Sequence, residues 1–166
     1  DPGIQWKNTL NKLSILEKSS HLGPVSIITK SSLTKERVKQ LKDINFNMVV
    51  LKSVSNLPQR IEQPSSKSRL ISLENLANEG IHDAQYFRTI ITGFNDSEEV
   101  IIQTIQDVKN TGSKILIYAG LLGTPEVISL LEKKIGKSIS PPKVHSSWQK
   151  YHKFTRGEFN RFYLTH

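Results

Sequence analysis

The chain has 166 residues, and its 23 Lys and Arg against 15 Asp and Glu give a formal net charge of +8. That length suits a single domain, and the charge is compatible with a polyanionic partner, an anionic ligand or an ordinary basic surface. Cysteine is absent, which excludes disulfides, thiolate catalysis and cysteine-ligated zinc or iron–sulfur sites.

No segment is apolar over the length that a membrane helix needs, and no signal peptide is visible. We therefore predict a cytoplasmic protein without a membrane partner. The sequence starts at Asp1, and its only methionine is Met48, which predicts a processed product or a piece of something larger.

Apolar residues at helical spacing alternate with short β-branched runs as far as Gly136. This alternation is typical of a parallel sheet covered by helices. The spacing predicts helices over 5–18, 66–79, 97–110 and 125–135, and one more that begins after Thr34. The predicted strands are 25–29, 48–53, 86–92 and 114–118. We expect them to be adjacent and in sequence order, because connections of this length favour neighbouring strands.

Local signals indicate where the helices begin. Thr34 is a predicted N-cap, and Asp96 is predicted to cap the fourth helix with Glu99 at its third position. Thr124 and Pro125 are typical of the start of the last helix. The last two helices are each predicted to bury one apolar stripe, made of Val100, Ile101, Ile105 and Val108 and of Val127, Leu130, Leu131 and Ile135.

Polar residues follow each predicted strand, at 30–32, 52–55, 92–95 and 118–120. In α/β folds, ligands bind at the carboxyl ends of the strands. A buried Lys or Ser inside a strand is costly unless it is paired, so we predict that Lys52, Ser53 and Ser55 lie just outside the sheet. They either solvate its rim or bind a polar ligand.

Several common sites are not supported. The glycines at 120 and 123 lack the Lys-Ser/Thr ending of a phosphate loop, and no Gly-x-Ser-x-Gly elbow is present. Histidines lack metal-ligand spacing, which favours surface positions for His21, His82, His145, His152 and His166.

Four stretches in order, "GPVSIITKSSL", "VVLKSVSN", "RIEQPSSKSRLISLENLANEGI" and "IITGFND", resemble the C-terminal two-thirds of a radical S-adenosylmethionine enzyme core. The likeness is to the branch with spore photoproduct lyase-like proteins, and it covers about 1–136. It implies a partial (β/α) barrel over 1–140, with four parallel strands, followed by a basic aromatic tail over 141–166. Asp1-Pro2 is similar to the acidic-Pro pair that follows an earlier strand of that barrel.

The resemblance implies that this chain forms part of the wall around S-adenosylmethionine. Thr89 to Asp96 fall in the frame of the family's Gly-x-Ile-x-Gly-x-x-Glu strand, which supports adenine, although Thr89 and Asp96 replace its first glycine and its glutamate. The resemblance implies that Ser53 and Ser55 hydrogen-bond the polar parts of the cofactor. It also implies that Arg60 or Arg69 pairs with the carboxylate of the cofactor. The implied cofactor-facing residues are Lys30, Ser53, Ser55, Arg60, Arg69, Ile91, Thr92 and Gly93.

The family's three-cysteine loop, which holds a [4Fe–4S] cluster, has no counterpart in this chain. Any cluster would have to come from a missing N-terminal part or a partner chain, and we expect this chain alone to be inactive. The strand 25–29 would lack its neighbour, so we expect its edge to be covered by another copy, a partner, the first helix or the tail.

A non-catalytic nucleic-acid-binding module is the alternative function. Within the tail 143–166, aromatic residues alternate with Lys and Arg, a composition that suits single-stranded nucleic acid. The same aromatics would equally suit packing onto the barrel.

Overall fold

The computed structural model describes residues 1–19, 23–45, 47–91, 93–120 and 125–139, and these contain five helices and four strands. The elements alternate in the predicted order. Their bounds are α1 Trp6–Lys18, β1 Val25–Thr29, α2 Lys35–Lys42, β2 Met48–Ser53, α3 Ser66–Asn78, β3 Asp83–Ile90, α4 Glu98–Asn110, β4 Leu116–Gly120 and α5 Pro125–Ile135.

Two strand bounds differ from the prediction. Strand β3 begins at Asp83, three residues before the predicted start, and ends at Ile90. Its first residues include Asp83 and Gln85, whose polar side chains hide the apolar pattern of a strand. Strand β4 begins at Leu116 and ends at Gly120, two residues later than predicted at each end.

The four strands form one parallel sheet in the order β1-β2-β3-β4, which confirms the predicted order and direction. The register pairs Ile27 with Val50 and Val50 with Asp83. Within the described residues, β1 and β4 form the two edges of this sheet.

One face of the sheet carries the main core. Side chains of β1 and β2 pack there with residues of α1, α2 and α3, and α3 also contacts α2 and α4. The fully buried members of this core cluster are Leu13, Ile27, Leu33, Val38, Leu41, Met48, Val50 and Leu76.

The opposite face is less covered. Because successive strand residues point to opposite faces, the register places Ile28, Leu51, Ser53, Tyr86 and Ile117 together on it. Ile28 is 51% exposed and Ile117 is 39% exposed. We call this face, defined by these five residues, the open face.

The buried faces of the last two helices agree with the prediction in part. α4 buries Val108 as predicted and also Thr104, whereas Ile105, predicted to be buried, is 45% exposed. α5 turns Ile128, Leu131 and Ile135 toward a second cluster, so Val127 and Leu130, predicted to be buried, are exposed.

The helix caps are partly as predicted. Thr34 accepts a hydrogen bond from the Arg37 amide and caps α2, as expected. The cap of α4 is Ser97, whose side chain accepts from the Val100 amide, so the prediction of Asp96 was wrong by one residue. Asp96 instead accepts from the Gly93 amide at 2.7 Å. Gly93 has φ +72°, a conformation that favours glycine. Thr124 lies outside the described residues.

Ser97→Ala is expected to lower the free energy of unfolding by about 1 kcal/mol, because the Val100 amide loses its acceptor at the first turn of α4. Urea unfolding followed by circular dichroism measures the change. Ser129→Ala is a control, because Ser129 is exposed and lies in the interior of α5, away from a helix cap. An equal change in both variants would contradict the cap.

Candidate functional site

The loops that follow β1 and β2 meet at the carboxyl edge of the sheet, around Glu62. The Lys30 ammonium lies 2.5 Å from Glu62 Oε1, and Arg69 Nη1 lies 3.0 Å from Glu62 Oε2. Ser55 donates a short hydrogen bond to the same carboxylate. Glu62 therefore joins three of the residues predicted for the site. The sequence reasoning did not single it out, although it belongs to the "RIEQP" stretch.

The electrostatics around Glu62 favour its ionised form. Burial raises the pKa of Glu62, but hydrogen bonds from Lys30 and Ser55 and the charge of Arg69 outweigh burial, so the net pKa is lowered. Burial lowers the pKa of Arg69, and the charge of Glu62 opposes that shift. The pair is thus a buried ion pair with a hydrogen-bonded carboxylate.

Arg69 is 1% exposed and is enclosed by the protein. Its Nε donates to the Pro64 carbonyl at 2.8 Å, and Nη1 donates to the Ser53 carbonyl at 3.1 Å. Its Nη2 has no hydrogen-bond partner within the described part of the chain. A ligand carboxylate would have to compete with Glu62 for this guanidinium.

The Asp1 carboxylate accepts hydrogen bonds from the residues at the carboxyl end of β1. Its Oδ1 accepts from Thr29 Oγ1 at 2.5 Å and from Ser31 Oγ at 3.0 Å, and its Oδ2 accepts from the Lys30 amide at 2.8 Å. Asp1 therefore holds the loop after β1 in place at the same edge.

A pocket of about 350 Å³ lies on the open face beside these groups. That volume is at the lower end of small-molecule sites. Two of its residues, Lys30 and Ser53, were predicted. The full lining is Asp1, Ile28, Thr29, Lys30, Ser53, Tyr86, Arg88 and Thr89.

Tyr86 and Arg88 were missed by the sequence reasoning. The Arg88 guanidinium lies 5.7 Å from the centroid of the Tyr86 ring, a cation–π arrangement. Ser53 donates to the Arg88 carbonyl at 3.0 Å. The available signal was their spacing: an aromatic and a cation two residues apart in one strand lie on the same face.

The other predicted residues lie elsewhere. Ile91 is buried in the second core cluster with Leu57 and Ile139, and Gly93 accepts a hydrogen bond from Lys137 at 3.1 Å. Arg60 is exposed. Thr92 lies outside the described residues. The structure thus brings together Lys30 and Ser53 at the pocket and Ser55 and Arg69 behind it.

The prediction that Lys52 and Ser53 lie just outside the sheet was wrong, because both are residues of β2. Ser55 lies beyond the end of β2, as predicted, and all three side chains are buried. The Lys52 ammonium donates a short hydrogen bond to the Ser31 carbonyl. Burial, together with the charges of Arg69 and Arg37, lowers the pKa of Lys52 to about 7.

The described residues contain no cluster of three His, Cys, Asp or Glu side chains that could hold a metal ion. They also contain no helix with the length and hydropathy to cross a membrane. The basic tail 143–166 lies outside them, so the alternative of nucleic-acid binding stays a prediction.

Comparison with protein-family models, with curated proteins and with solved structures gave no match. The radical S-adenosylmethionine resemblance therefore stays a hypothesis drawn from residues.

Proposed function

We propose that this chain forms part of a radical S-adenosylmethionine barrel and that the open-face pocket binds the adenosyl part of S-adenosylmethionine. The observation that carries this proposal is the pocket itself: it lies at the carboxyl ends of β1 to β3, and it joins the candidate residues Lys30 and Ser53 to the half-buried ring of Tyr86. In α/β folds, this edge of the sheet is where ligands bind.

The fold supports the barrel part of the proposal. Four parallel strands in sequence order, with α1, α2 and α3 packed on one face, have the arrangement of one segment of a (β/α) barrel. In that arrangement, the open face is the interior wall. Its residues Leu51, Ser53 and Tyr86 would then face the centre of the completed barrel.

The residues of the pocket fit an adenosyl group in part. The Tyr86 ring offers a face on which adenine stacks, and Ser53 offers a hydroxyl. Lys30 offers an ammonium for the ligand carboxylate, in competition with Glu62. Ile91 and Gly93 lie beyond the pocket lining, so their contact with adenine requires the ligand to extend past the end of β3.

The residues do not fit the iron–sulfur cluster, because the chain has no cysteine thiolate. The cluster and the reductive cleavage of S-adenosylmethionine would belong to a missing N-terminal part or to a partner chain. The proposed role of this chain is binding and orientation of the ligand.

Titration of the protein with S-adenosylhomocysteine, followed by NMR of the ligand, tests this role. We expect weak binding that Tyr86→Leu reduces about tenfold, because base–aromatic stacking contributes about 1–3 kcal/mol. Tyr118→Leu is the matched control. Tyr118 lies on the neighbouring strand but, by the register, on the opposite face of the sheet.

Binding in the open-face pocket is supported if Tyr86→Leu loses affinity for S-adenosylhomocysteine and Tyr118→Leu keeps it. No binding at millimolar ligand, or equal losses in both variants, would contradict the proposed function.

A further inference from the structure

We propose that Arg88 binds the acidic group of the ligand in the open-face pocket and so makes this pocket selective for adenosyl compounds that carry a carboxylate. The inference rests on the proposed function, because it concerns the same pocket and the same class of ligand. It assigns the carboxylate to a residue for which the resemblance implied no role.

The cations that the resemblance implied for the carboxylate are engaged or lie outside the pocket. Arg69 is 1% exposed, and its guanidinium contacts Glu62 at 3.0 Å and two backbone carbonyls. Arg60 is exposed and is not part of the pocket lining. Lys30 does line the pocket, but its ammonium lies 2.5 Å from Glu62 Oε1. A ligand carboxylate on Lys30 or Arg69 would therefore have to replace an existing ion pair.

Arg88 differs from these cations because its charge is not paired. It lines the pocket and is half-buried. Among the residues that the structure describes, its guanidinium forms no ion pair. A guanidinium presents two parallel N–H groups that match the two oxygens of a carboxylate. Arg88 can therefore bind an acidic ligand without the loss of an ion pair.

Two contacts hold Arg88 beside the proposed adenine position. Its guanidinium lies 5.7 Å from the centroid of the Tyr86 ring, and its backbone carbonyl accepts a hydrogen bond from the Ser53 hydroxyl at 3.0 Å. A side chain that is ordered before the ligand arrives loses less conformational entropy on binding. Adenine would stack on the face of the Tyr86 ring that the guanidinium leaves free, with the carboxylate on Arg88.

The charges on the two sides of the pocket favour this orientation. Asp1 lies on the β1 side, where its carboxylate accepts hydrogen bonds from the Thr29 hydroxyl and the Lys30 amide. A second carboxylate beside Asp1 would be repelled, whereas Arg88 on β3 attracts it. The acidic end of the ligand should therefore lie toward β3.

Ligand NMR with two adenosyl compounds tests the inference. S-adenosylhomocysteine carries a carboxylate, whereas 5′-methylthioadenosine has the same nucleoside and thioether without the amino-acid part. We expect Arg88→Gln to lower the affinity for S-adenosylhomocysteine about tenfold, because a charge-assisted hydrogen-bonded pair is lost. The affinity for 5′-methylthioadenosine should stay unchanged. Arg88→Lys keeps the charge without the parallel N–H groups and should restore part of the lost affinity.

Lys114→Gln is the matched control, because it removes one positive charge at an exposed position outside the pocket lining. It should change neither affinity, and circular dichroism verifies that each variant is folded. Equal losses for both ligands in Arg88→Gln would show that Arg88 acts through the Tyr86 ring. A loss of S-adenosylhomocysteine affinity in Arg60→Gln in place of Arg88→Gln would assign the carboxylate to Arg60. Either result would overturn the inference.

The second ligand separates this inference from the proposed function. If the wild type binds 5′-methylthioadenosine and Arg88→Gln keeps its affinity for S-adenosylhomocysteine, the inference is wrong and the adenosyl pocket stands. If the wild type binds neither compound at millimolar concentration, the proposed function is contradicted, and the inference with it.

Discussion

Glu62→Ala is expected to lower the free energy of unfolding by about 3–5 kcal/mol, because it leaves the Arg69 guanidinium buried without its carboxylate. Arg69 is 1% exposed and the Glu62 side chain is 12% exposed, so both charges of the pair are largely removed from water. The same change also removes the acceptor of Lys30 and Ser55. Urea unfolding at neutral pH measures the loss.

Two further variants separate the buried pair from a generic charge effect. Glu79→Ala breaks the exposed ion pair with Lys42 and should leave the stability nearly unchanged. Arg69→Met added to Glu62→Ala removes the unpaired charge and should recover part of the loss. Equal effects of Glu62→Ala and Glu79→Ala would show that Glu62 does not hold the site together.

Lys52→Met is expected to stabilise the protein at pH 7 and to change how its stability depends on pH. The folded-state pKa of Lys52 is about 7, compared with 10.5 for an ordinary lysine. Between these values, the unfolded chain binds a proton that the folded chain does not. Stability of the wild type should therefore rise with pH from about 7 to about 10.

The gain in the free energy of unfolding from Lys52→Met at pH 7 has an upper limit on the order of 4 kcal/mol, since each pKa unit corresponds to about 1.4 kcal/mol. Loss of the hydrogen bond to Ser31 offsets about 1 kcal/mol of this gain in the variant. Unfolding curves at several pH values measure both effects. Lys39→Met, on the exposed side of α2, is the control and should keep the wild-type slope. A rising slope that persists in Lys52→Met would contradict a neutral buried lysine.

Both variants concern the same edge of the sheet. Glu62 and Lys52 each hold the loop after β1, through Lys30 and through the Ser31 carbonyl. Lys30 also lines the open-face pocket. The loop after β1 is thus held by one buried ion pair and by one hydrogen bond from a buried amine, and the open-face pocket lies beside that loop.

The sequence alone predicted the alternation of strands and helices, the parallel direction of the strands and their order in the sheet. β1 and β2 are apolar runs between turn residues, and Val38 and Leu41 recur at helical spacing on α2. These features are local, because each helix or strand must bury its own apolar side. The strand order follows from short connections.

Only the tertiary structure decided where the polar groups lie. Lys52 and Ser53 are buried strand residues because the Ser31 and Arg88 carbonyls, distant in sequence, accept their hydrogen bonds. Glu62 became the centre of the site because Lys30, Ser55 and Arg69 converge on it from separate elements. Likewise, Ile105 and Val127 are exposed because burial depends on which elements a helix has beside it. Sequence periodicity identifies the apolar side of an element, whereas long-range contacts decide what that side meets.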